Sequence, residues 1–278
     1  MVAFALGVMP GTDMVAAADV IAGETGDVRA IPRLSARGIM SDAVGATCAL
    51  LPDAPVAAGP RSWQLEARPQ LITRRLWDQA ERDLDLLEAE WGSSGFTVQV
   101  AALGPWSLAA QVELPNGHLA VTDPGALHDL TEIVTYGLAE HASRLRRRFH
   151  GEVNIQVNEP LLAALNRGEI AGTNDFDVLR PIPAKELGER LHYVFESLPG
   201  RRLLGSGSRP LFDVARIAQP DAIIVPQSAL VGSELLDGCA ATLDAGIGVS
   251  LGAVTLGDDV DELSRSEERR VGKECRSR

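Results

Sequence analysis

The sequence has little cysteine and few aromatic residues, and both shortages exclude particular classes of protein. Its three cysteines, Cys48, Cys239 and Cys275, are far apart and form no CxxC or CxH pattern. This spacing excludes a disulfide framework and a cysteine-rich zinc site, and it is typical of reduced thiols in a cytoplasmic protein. Aromatic residues make up only 4% of the chain, so a core has to be built mainly from Leu, Val, Ile and Ala.

Basic residues and long apolar runs are also scarce. The 26 Lys and Arg residues against 38 Asp and Glu residues give a net charge of −12, which argues against broad nucleic-acid binding because phosphate neutralisation needs a basic face. No apolar run reaches the roughly 18 residues that cross a bilayer. The apolar N-terminus lacks a preceding basic segment, so we interpret residues 2–9 as a first strand and not as a signal peptide. We therefore expect small-molecule partners and no membrane or nucleic-acid partner.

Apolar segments of strand length alternate with amphipathic helical segments along most of the chain. Asp13 is predicted to cap a helix over residues 14–21, and Asp42 a helix reaching about residue 51. Further helices are predicted over 70–91, 107–113, 124–149, 183–198, 211–218 and 234–245. Strands are predicted over 2–9, 63–67, 96–103, 153–157, 202–205, 222–225 and 248–256. This alternation indicates an α/β fold with a parallel sheet and βαβ crossovers.

The predicted strands number seven, whereas a closed parallel barrel of this kind has eight. Residues 265–278 hold six of the 26 basic residues and almost no apolar ones, so they cannot cover the seam of a barrel. We interpret them as a non-native, disordered tail that follows a single domain over residues 1–264. The domain is then expected to lack its last β/α unit.

The clearest candidate site is the segment 152–160, EVNIQVNEP. Its apolar residues alternate with amides and then give way to Asn158-Glu159-Pro160, where the missing N–H of Pro160 ends the strand. A polar pair at the carboxyl end of a buried strand lies where α/β proteins bind their ligands. The pair could equally well only cap the helical turn that follows. Position alone leaves both interpretations open.

Other sequence features give weaker indications of function. No GxGxxG or GxxxxGK[ST] follows a predicted strand, so neither dinucleotide nor P-loop binding is supported. The small-residue loop at 205–208 is too general a pattern to indicate a phosphate site. His128 and His141 lie on the helix over 124–149, away from the strand ends, and we interpret them as structural or exposed. The arginines near the end of that helix are placed to offset its dipole.

Four segments, taken in order, resemble the catalytic barrel of the cobalamin-independent methionine synthase family in its short, single-barrel form. They are residues 7–13 (GVMPGTD), 31–38 with Ser41-Asp42, 104–110 (GPWSLAA) and 155–160 (IQVNEP). The resemblance implies a (β/α)8 TIM barrel of the methionine synthase and uroporphyrinogen decarboxylase type. It also implies methyl transfer from methyltetrahydrofolate to the thiol of homocysteine. In that family a zinc ion with His, Cys and Glu ligands holds the thiol as thiolate.

The resemblance suggests a role for particular residues of this chain. Glu159 is the catalytic candidate, and the substrate-binding candidates are Asn158, Val8, Met9, Asp42, Trp106 and Ser107. Asn158 stands where the family has an acidic residue for the substrate amine, and the loss of charge is expected to weaken amine binding by about 1–3 kcal/mol. Val8 stands where the family has a serine, although backbone N–H groups there could still bind a carboxylate.

The family's zinc ligands are not found in this sequence. Its His-x-Cys pair would fall at residues 205–208, and its acidic ligand near Pro226, and none of these residues is a zinc ligand. We therefore predict sub-stoichiometric zinc and no homocysteine methylation. Three hypotheses remain: a methionine synthase-like methyltransferase, a zinc-less paralogue that binds an amino acid, a folate or a protein, and a barrel lyase or decarboxylase that uses Glu159 as its general acid and base.

Overall fold

The computed structural model describes residues 4–59, 62–93, 95–172 and 179–252. Six parallel strands form the main sheet, and three short strands form a small separate sheet. The main sheet consists of β1 (Val28–Ala30), β4 (Thr97–Leu103), β6 (Val153–Asn158), β7 (Arg201–Gly205), β8 (Ala222–Pro226) and β9 (Gly248–Gly252), and the small one of β2 (Val56–Ala58), β3 (Trp63–Leu65) and β5 (Val112–Glu113). The predicted α/β class with a parallel sheet is confirmed.

The strands of the main sheet lie side by side in chain order, β1-β4-β6-β7-β8-β9. Every neighbouring pair is parallel. Each new strand is thus added to the same edge, so the sheet winds in one direction and has no point where the strand order reverses. Within the described residues, β1 and β9 are the two edges of this six-stranded sheet.

Helices connect these strands, and most begin at caps that the sequence indicates. They are α1 (Met14–Thr25), α2 (Ala43–Cys48), α3 (Leu71–Trp91), α4 (Pro105–Ala109), α5 (Pro124–Phe149), α6 (Leu162–Arg167), α7 (Ala184–Ser197), α8 (Phe212–Ala218) and α9 (Ser233–Asp244). The Asp13 carboxylate accepts a hydrogen bond from Val15 N at 2.9 Å, and Asp123 accepts one from Ala126 N at 2.8 Å. These carboxylates satisfy N–H groups that have no partner within the helix.

The two faces of the sheet are packed differently. Val100, Ile155 and Ile223 belong to the large core beneath the helices. Strand residues of the opposite parity point to the other face, where Leu203, Ala222 and Ile224 form a small separate cluster with Phe4. This second face, called the inner face below, also carries buried amides.

The predicted first strand does not form as a continuous strand. Of residues 2–9, the structure describes 4–9, and among these Val8 pairs with Arg33 only as an isolated parallel bridge. Gly7 has φ of +90°, which is incompatible with extended backbone. The segment is nevertheless held at both sides of this bridge, because Arg33 N donates to Gly7 O at 2.6 Å and Met9 N donates to Arg33 O at 3.1 Å.

Two other predicted elements are wrong in place or type. Residues 63–65 form a strand, but it lies in the small sheet, and the main sheet has β1 beside β4 instead. The prediction missed β1 because it has only three residues, with Arg29 in the middle, whose guanidinium lies 4.2 Å from the Phe96 ring centroid. The helix predicted over 107–113 ends at Ala109, since Val112 pairs with Trp63 in β5. The predicted residues of the last strand beyond 252, the tail at 265–278 and Cys275 lie outside the described residues.

Titratable side chains on the helices have mostly structural roles. Cys48 and Cys239 are free thiols, and burial raises the pKa of Cys48 to about 12. His128 is exposed and His141 is buried, in agreement with the prediction for both. Arg144 and Arg148 form ion pairs with acidic residues of α3, namely Glu81, Asp85 and Glu88. These arginines therefore link α5 to α3, in addition to lying near the C-terminal end of α5.

Within the described ranges, no helix has the length and apolarity needed to cross a membrane.

Candidate functional site

The carboxyl ends of three neighbouring strands meet at the predicted site. Gly104 N, just after β4, donates a hydrogen bond to Asn158 O at 2.9 Å, and Glu159 N, just after β6, donates one to Gly205 O at 2.7 Å. Ladder hydrogen bonds thus continue one residue past β4 and β6. They hold Asn158 and Glu159 at the edge of the sheet where parallel α/β folds bind ligands.

The Glu159 carboxylate is fully buried and accepts two backbone hydrogen bonds. Trp106 N donates to Oε1 at 3.0 Å, and Ser107 N donates to Oε2 at 2.7 Å. Both N–H groups belong to the first turn of α4, where they lack partners inside the helix. Glu159 therefore caps a helix, as one of the two interpretations of the sequence expected. The capped helix is α4, which follows the neighbouring strand β4, whereas the sequence indicated the helical turn directly after Pro160.

The buried position also changes the acidity of Glu159. Burial raises its pKa to about 7, against the opposing effect of its hydrogen bonds with Ser107 and Trp106. The loss of hydration therefore outweighs the stabilisation of the carboxylate by these donors. Because its pKa lies near neutral pH, the protonated and ionised forms of this carboxyl group are both populated near pH 7.

Gly104 creates the space that the Glu159 carboxylate occupies. A Cβ atom at this position would overlap Glu159 Oε1 and would lie 2.7 Å from Val157 Cγ1. Trp106 is also fixed, because its Nε1 donates to Leu187 O at 3.1 Å and the Arg190 guanidinium lies 5.0 Å from its ring centroid. The cluster of Glu159, Trp106 and Ser107 is therefore held rigidly from β4, β6 and α7.

A ladder of amide side chains runs along the inner face toward Asn158. Gln99 Nε2 donates to the backbone oxygen of Ala5 at 3.2 Å and to Gln156 Oε1 at 2.8 Å, and Gln156 Nε2 donates to Asn158 Oδ1 at 2.8 Å. The carbonyl of Ala5 can only accept, so it fixes the orientation of every amide in the ladder. Asn158 consequently presents Nδ2, a donor, at the end of the ladder. An N–H donor suits a ligand carboxylate, which accepts hydrogen bonds. It does not suit the substrate ammonium group that the family resemblance implied, because an ammonium group also donates.

Gly205 makes room for the last amide of this ladder. A Cβ atom on Gly205 would overlap Asn158 Oδ1, so a side chain at this position would displace Asn158. The start of the ladder is less complete, because Gln99 Oε1 is buried without a hydrogen-bond partner in the described part of the chain. Sequence reasoning did not assign roles to Gly104, Gly205, Gln99 or Gln156. The alternation of amides with apolar residues in 152–160 was the signal that could have indicated the ladder.

The other three predicted site residues are Val8, Met9 and Asp42. Among the described residues, no hydrogen bond or ion pair joins Val8, Met9 or Asp42 to Asn158 or Glu159. The Asp42 carboxylate caps α2 through a 2.6 Å hydrogen bond from Gly45 N, and it also accepts one from Trp63 Nε1 at 2.9 Å. The structure thus brings Glu159, Trp106 and Ser107 together, with Asn158 adjacent. The substrate-binding roles of all these residues stay predictions.

The residues at the expected zinc position do not fit that metal. Ser206 is buried, and its hydroxyl donates to Ile224 O at 3.2 Å, while Pro226 ends β8. The loop over 205–208 offers no imidazole, thiolate or carboxylate, which are the ligands of protein-bound zinc. In the ranges that the structure describes, no group of three or more His, Cys, Asp and Glu side chains is arranged to hold a metal ion.

The fold and the site together define the class of the protein as α/β, with a one-directional parallel sheet and a polar cluster at its carboxyl edge. No family model matches the chain, and no curated protein matches it either. Among solved structures, the fold is similar to that of a methyltransferase from Methanosarcina mazei, with a TM-score of 0.52 and 11% sequence identity over 87% of this chain and 79% of that chain. At this identity the likeness concerns the fold alone.

Proposed function

We propose that this chain is a methyltransferase-like barrel protein of the methionine synthase type that binds an amino-acid or folate-type carboxylate at Asn158, next to the buried Glu159. The observation that carries the proposal is the cluster of Glu159, Trp106 and Ser107 at the carboxyl ends of adjacent parallel strands, in a fold similar to that of a methyltransferase. One-directional winding of the sheet supports a (β/α)8 barrel. The parallel bridge between Val8 and Arg33 supports the place of residues 4–9 as its first strand.

The proposal does not include zinc-dependent activation of a thiol. The loop over 205–208 lacks zinc ligands, so no step of the chemistry is assigned to a metal. Asn158 Nδ2 is assigned as the donor to the carboxylate of a ligand, and the amide ladder supports this assignment because it leaves Nδ2 as the free donor of Asn158. Binding of the substrate class is thus retained in the proposal, while methylation of homocysteine is not.

Metal analysis and binding measurements test this proposal. The purified protein is expected to contain sub-stoichiometric zinc and to produce no methionine from homocysteine and methyltetrahydrofolate. Calorimetric titration with homocysteine, methionine and methyltetrahydrofolate is expected to show saturable binding of at least one of them. Asn158→Ala should weaken that binding about tenfold, whereas Asn116→Ala, in an exposed loop, should not. Stoichiometric zinc with homocysteine methylation would contradict the proposal.

A metal-free acid–base function is a second candidate, favoured by the pKa of Glu159 near 7. A general acid and base works best when its pKa lies near the pH of the reaction. In this case a lyase or decarboxylase activity, assayed with oxaloacetate in the presence of EDTA, should follow a single ionisation near pH 7. Glu159→Gln should abolish this activity because an amide cannot exchange the proton. Activity that survives this substitution would exclude Glu159 as the acid and base.

A further inference from the structure

A cavity of about 90 Å³ lies between the helices and β4, away from Glu159. None of the residues of the candidate site lines it. Its walls are mostly apolar and are contributed by Met14, Leu34, Leu76, Leu84 and Val100, among others. The motif over 31–38, which the proposed function leaves without a role, forms one side of it. An apolar cavity of about 150 Å³ holds the six carbon atoms of a benzene molecule, so a chain of about four carbon atoms suits this one.

His141 contributes a buried imidazole ring to the wall of this cavity. Its side chain is buried, lines the cavity and has an Nε2 atom without a hydrogen-bond partner in the described part of the chain. Burial and the nearby Arg144 lower the pKa of His141 to about 4, so the ring is neutral at neutral pH. Nε2 itself has almost no accessible surface, so it is not a contact for a bound molecule, and the ring contributes only a neutral, packed wall.

Arg33 supplies a positive charge at the wall of the same cavity. Its guanidinium is half-buried and donates hydrogen bonds to Ser35 Oγ at 3.0 Å and to Ser41 O at 3.4 Å. No carboxylate among the described residues forms an ion pair with it.

The two acidic residues near Arg33 already have other partners. Asp83, which also lines the cavity, is paired with Arg37 at 2.8 Å. Both oxygens of Asp42 accept hydrogen bonds, from Gly45 N and from the Trp63 ring. The cavity thus combines an apolar interior with one guanidinium that no carboxylate of the described residues contacts, while the charge of Asp42 acts on it through space. A carboxylate in direct contact would add a charge-assisted hydrogen bond that Asp42 does not supply.

We propose that this cavity binds a small carboxylic acid with a short apolar chain. The carboxylate pairs with the Arg33 guanidinium, whose planar N–H groups match it geometrically. The chain lies against Met14, Leu34 and Leu84. This site is separate from the one at Glu159, and the proposal does not depend on the proposed function.

Pentanoate serves as the probe, with pentan-1-ol and pentylamine as neutral and cationic comparisons of the same length. Binding to the full chain is followed by calorimetric titration, and folding of each variant by thermal unfolding. Arg33→Met removes the cation, and Ala80→Leu fills the cavity from its half-buried wall. Ala241→Leu, on an exposed face of α9, is the matched control for the added side chain.

Pentanoate is expected to bind saturably and at least about tenfold more tightly than pentylamine, since a charge-assisted pair contributes about that factor. Arg33→Met should remove this preference, Ala80→Leu should abolish binding, and Ala241→Leu should leave it unchanged. The proposal is overturned if the wild-type protein shows no saturable binding of pentanoate, or if the three probes bind equally. Unchanged pentanoate affinity in a folded Ala80→Leu variant also overturns it, even if Arg33→Met does not fold.

Discussion

Replacing Glu159 with glutamine should change how the stability of the protein depends on pH. In the folded protein burial raises the pKa of Glu159 from 4.5 to about 7, whereas in the unfolded chain the carboxyl group titrates near its ordinary value. The folded state therefore binds more protons than the unfolded state between these two pH values. The resulting stabilisation is fully present below the unfolded pKa and is lost as the pH rises through about 7.

The size of this effect follows from the two pKa values. A pKa that rises from 4.5 to about 7 corresponds to about 3 kcal/mol of stability, at about 1.4 kcal/mol for each pH unit. Glutamine has no such dependence, because it does not titrate. It also places an NH2 group against one of the two backbone donors, Trp106 N or Ser107 N. That mismatch costs about 1–3 kcal/mol at every pH.

Urea unfolding of both proteins at pH 5, 6, 7 and 8 measures this difference. The stability advantage of the wild-type protein over Glu159→Gln should be about 2.5 kcal/mol larger at pH 5 than at pH 8, because part of the full effect appears only below pH 5. His141 titrates in the opposite sense, since its pKa is lowered by burial, but it is common to both proteins and cancels. A difference that does not vary with pH, or that grows toward high pH, would refute the conclusion that burial outweighs the hydrogen bonds to α4.

Three further predictions concern the packing around the candidate site. Gly104→Ala should destabilise the protein by about 1–3 kcal/mol in urea unfolding, because the new Cβ overlaps Glu159 Oε1. The control is Gly23→Ala, which lies in open space within α1 and should stabilise the protein by about 0.5–1 kcal/mol. Gly205→Ala should also lower the unfolding free energy of the protein, because the new Cβ overlaps the Asn158 amide. Adding Asn158→Ala should therefore recover part of the loss. If the two effects simply add in this double-mutant cycle, the geometry is contradicted. Gln156→Leu should cost about 1–3 kcal/mol because it leaves Gln99 Nε2 without one acceptor. The double variant Gln99→Leu/Gln156→Leu should cost less than the single one, and an equal or larger loss would argue against the ladder.

The long helices were predictable because their signals are local. The helix predicted over 70–91 is observed as α3, and Asp123 with Pro124 marks the start of α5 within one residue. Apolar periodicity and capping residues act within a few turns of the chain, so a single sequence contains them. The end of β6 was likewise predictable, because Pro160 cannot continue a strand.

The short strands required information that the local sequence does not carry. β1 has three residues and no period that can be recognised, and its parallel partner β4 lies about 70 residues away in the chain. Residues 4–9 show the opposite case, since they are apolar enough for a strand but form only one bridge with Arg33. Strand formation depends on the partner at least as much as on the segment itself.

The candidate site was predictable in part for the same reason. Glu159 follows a strand and precedes a proline, so its position at the edge of the sheet could be inferred from its own segment. Its hydrogen-bond donors, Trp106 and Ser107, precede it by 53 and 52 residues, and they were named through the family resemblance alone. Gly104 and Gly205 matter because the register of β4, β6 and β7 places them against Glu159 and Asn158, and register is a property of the assembled sheet.

Burial limits the chemistry that Glu159 can perform. Each carboxylate oxygen accepts one backbone hydrogen bond from the first turn of α4 and keeps a second lone pair, so the cap alone does not block protonation. The side chain is fully buried, so a substrate can exchange a proton with Glu159 only if the packing around the carboxylate opens. An acid–base function therefore requires such an opening, whereas a binding function at Asn158 leaves Glu159 and its cap unchanged. A ligand that binds without changing the pKa of Glu159 favours the second arrangement.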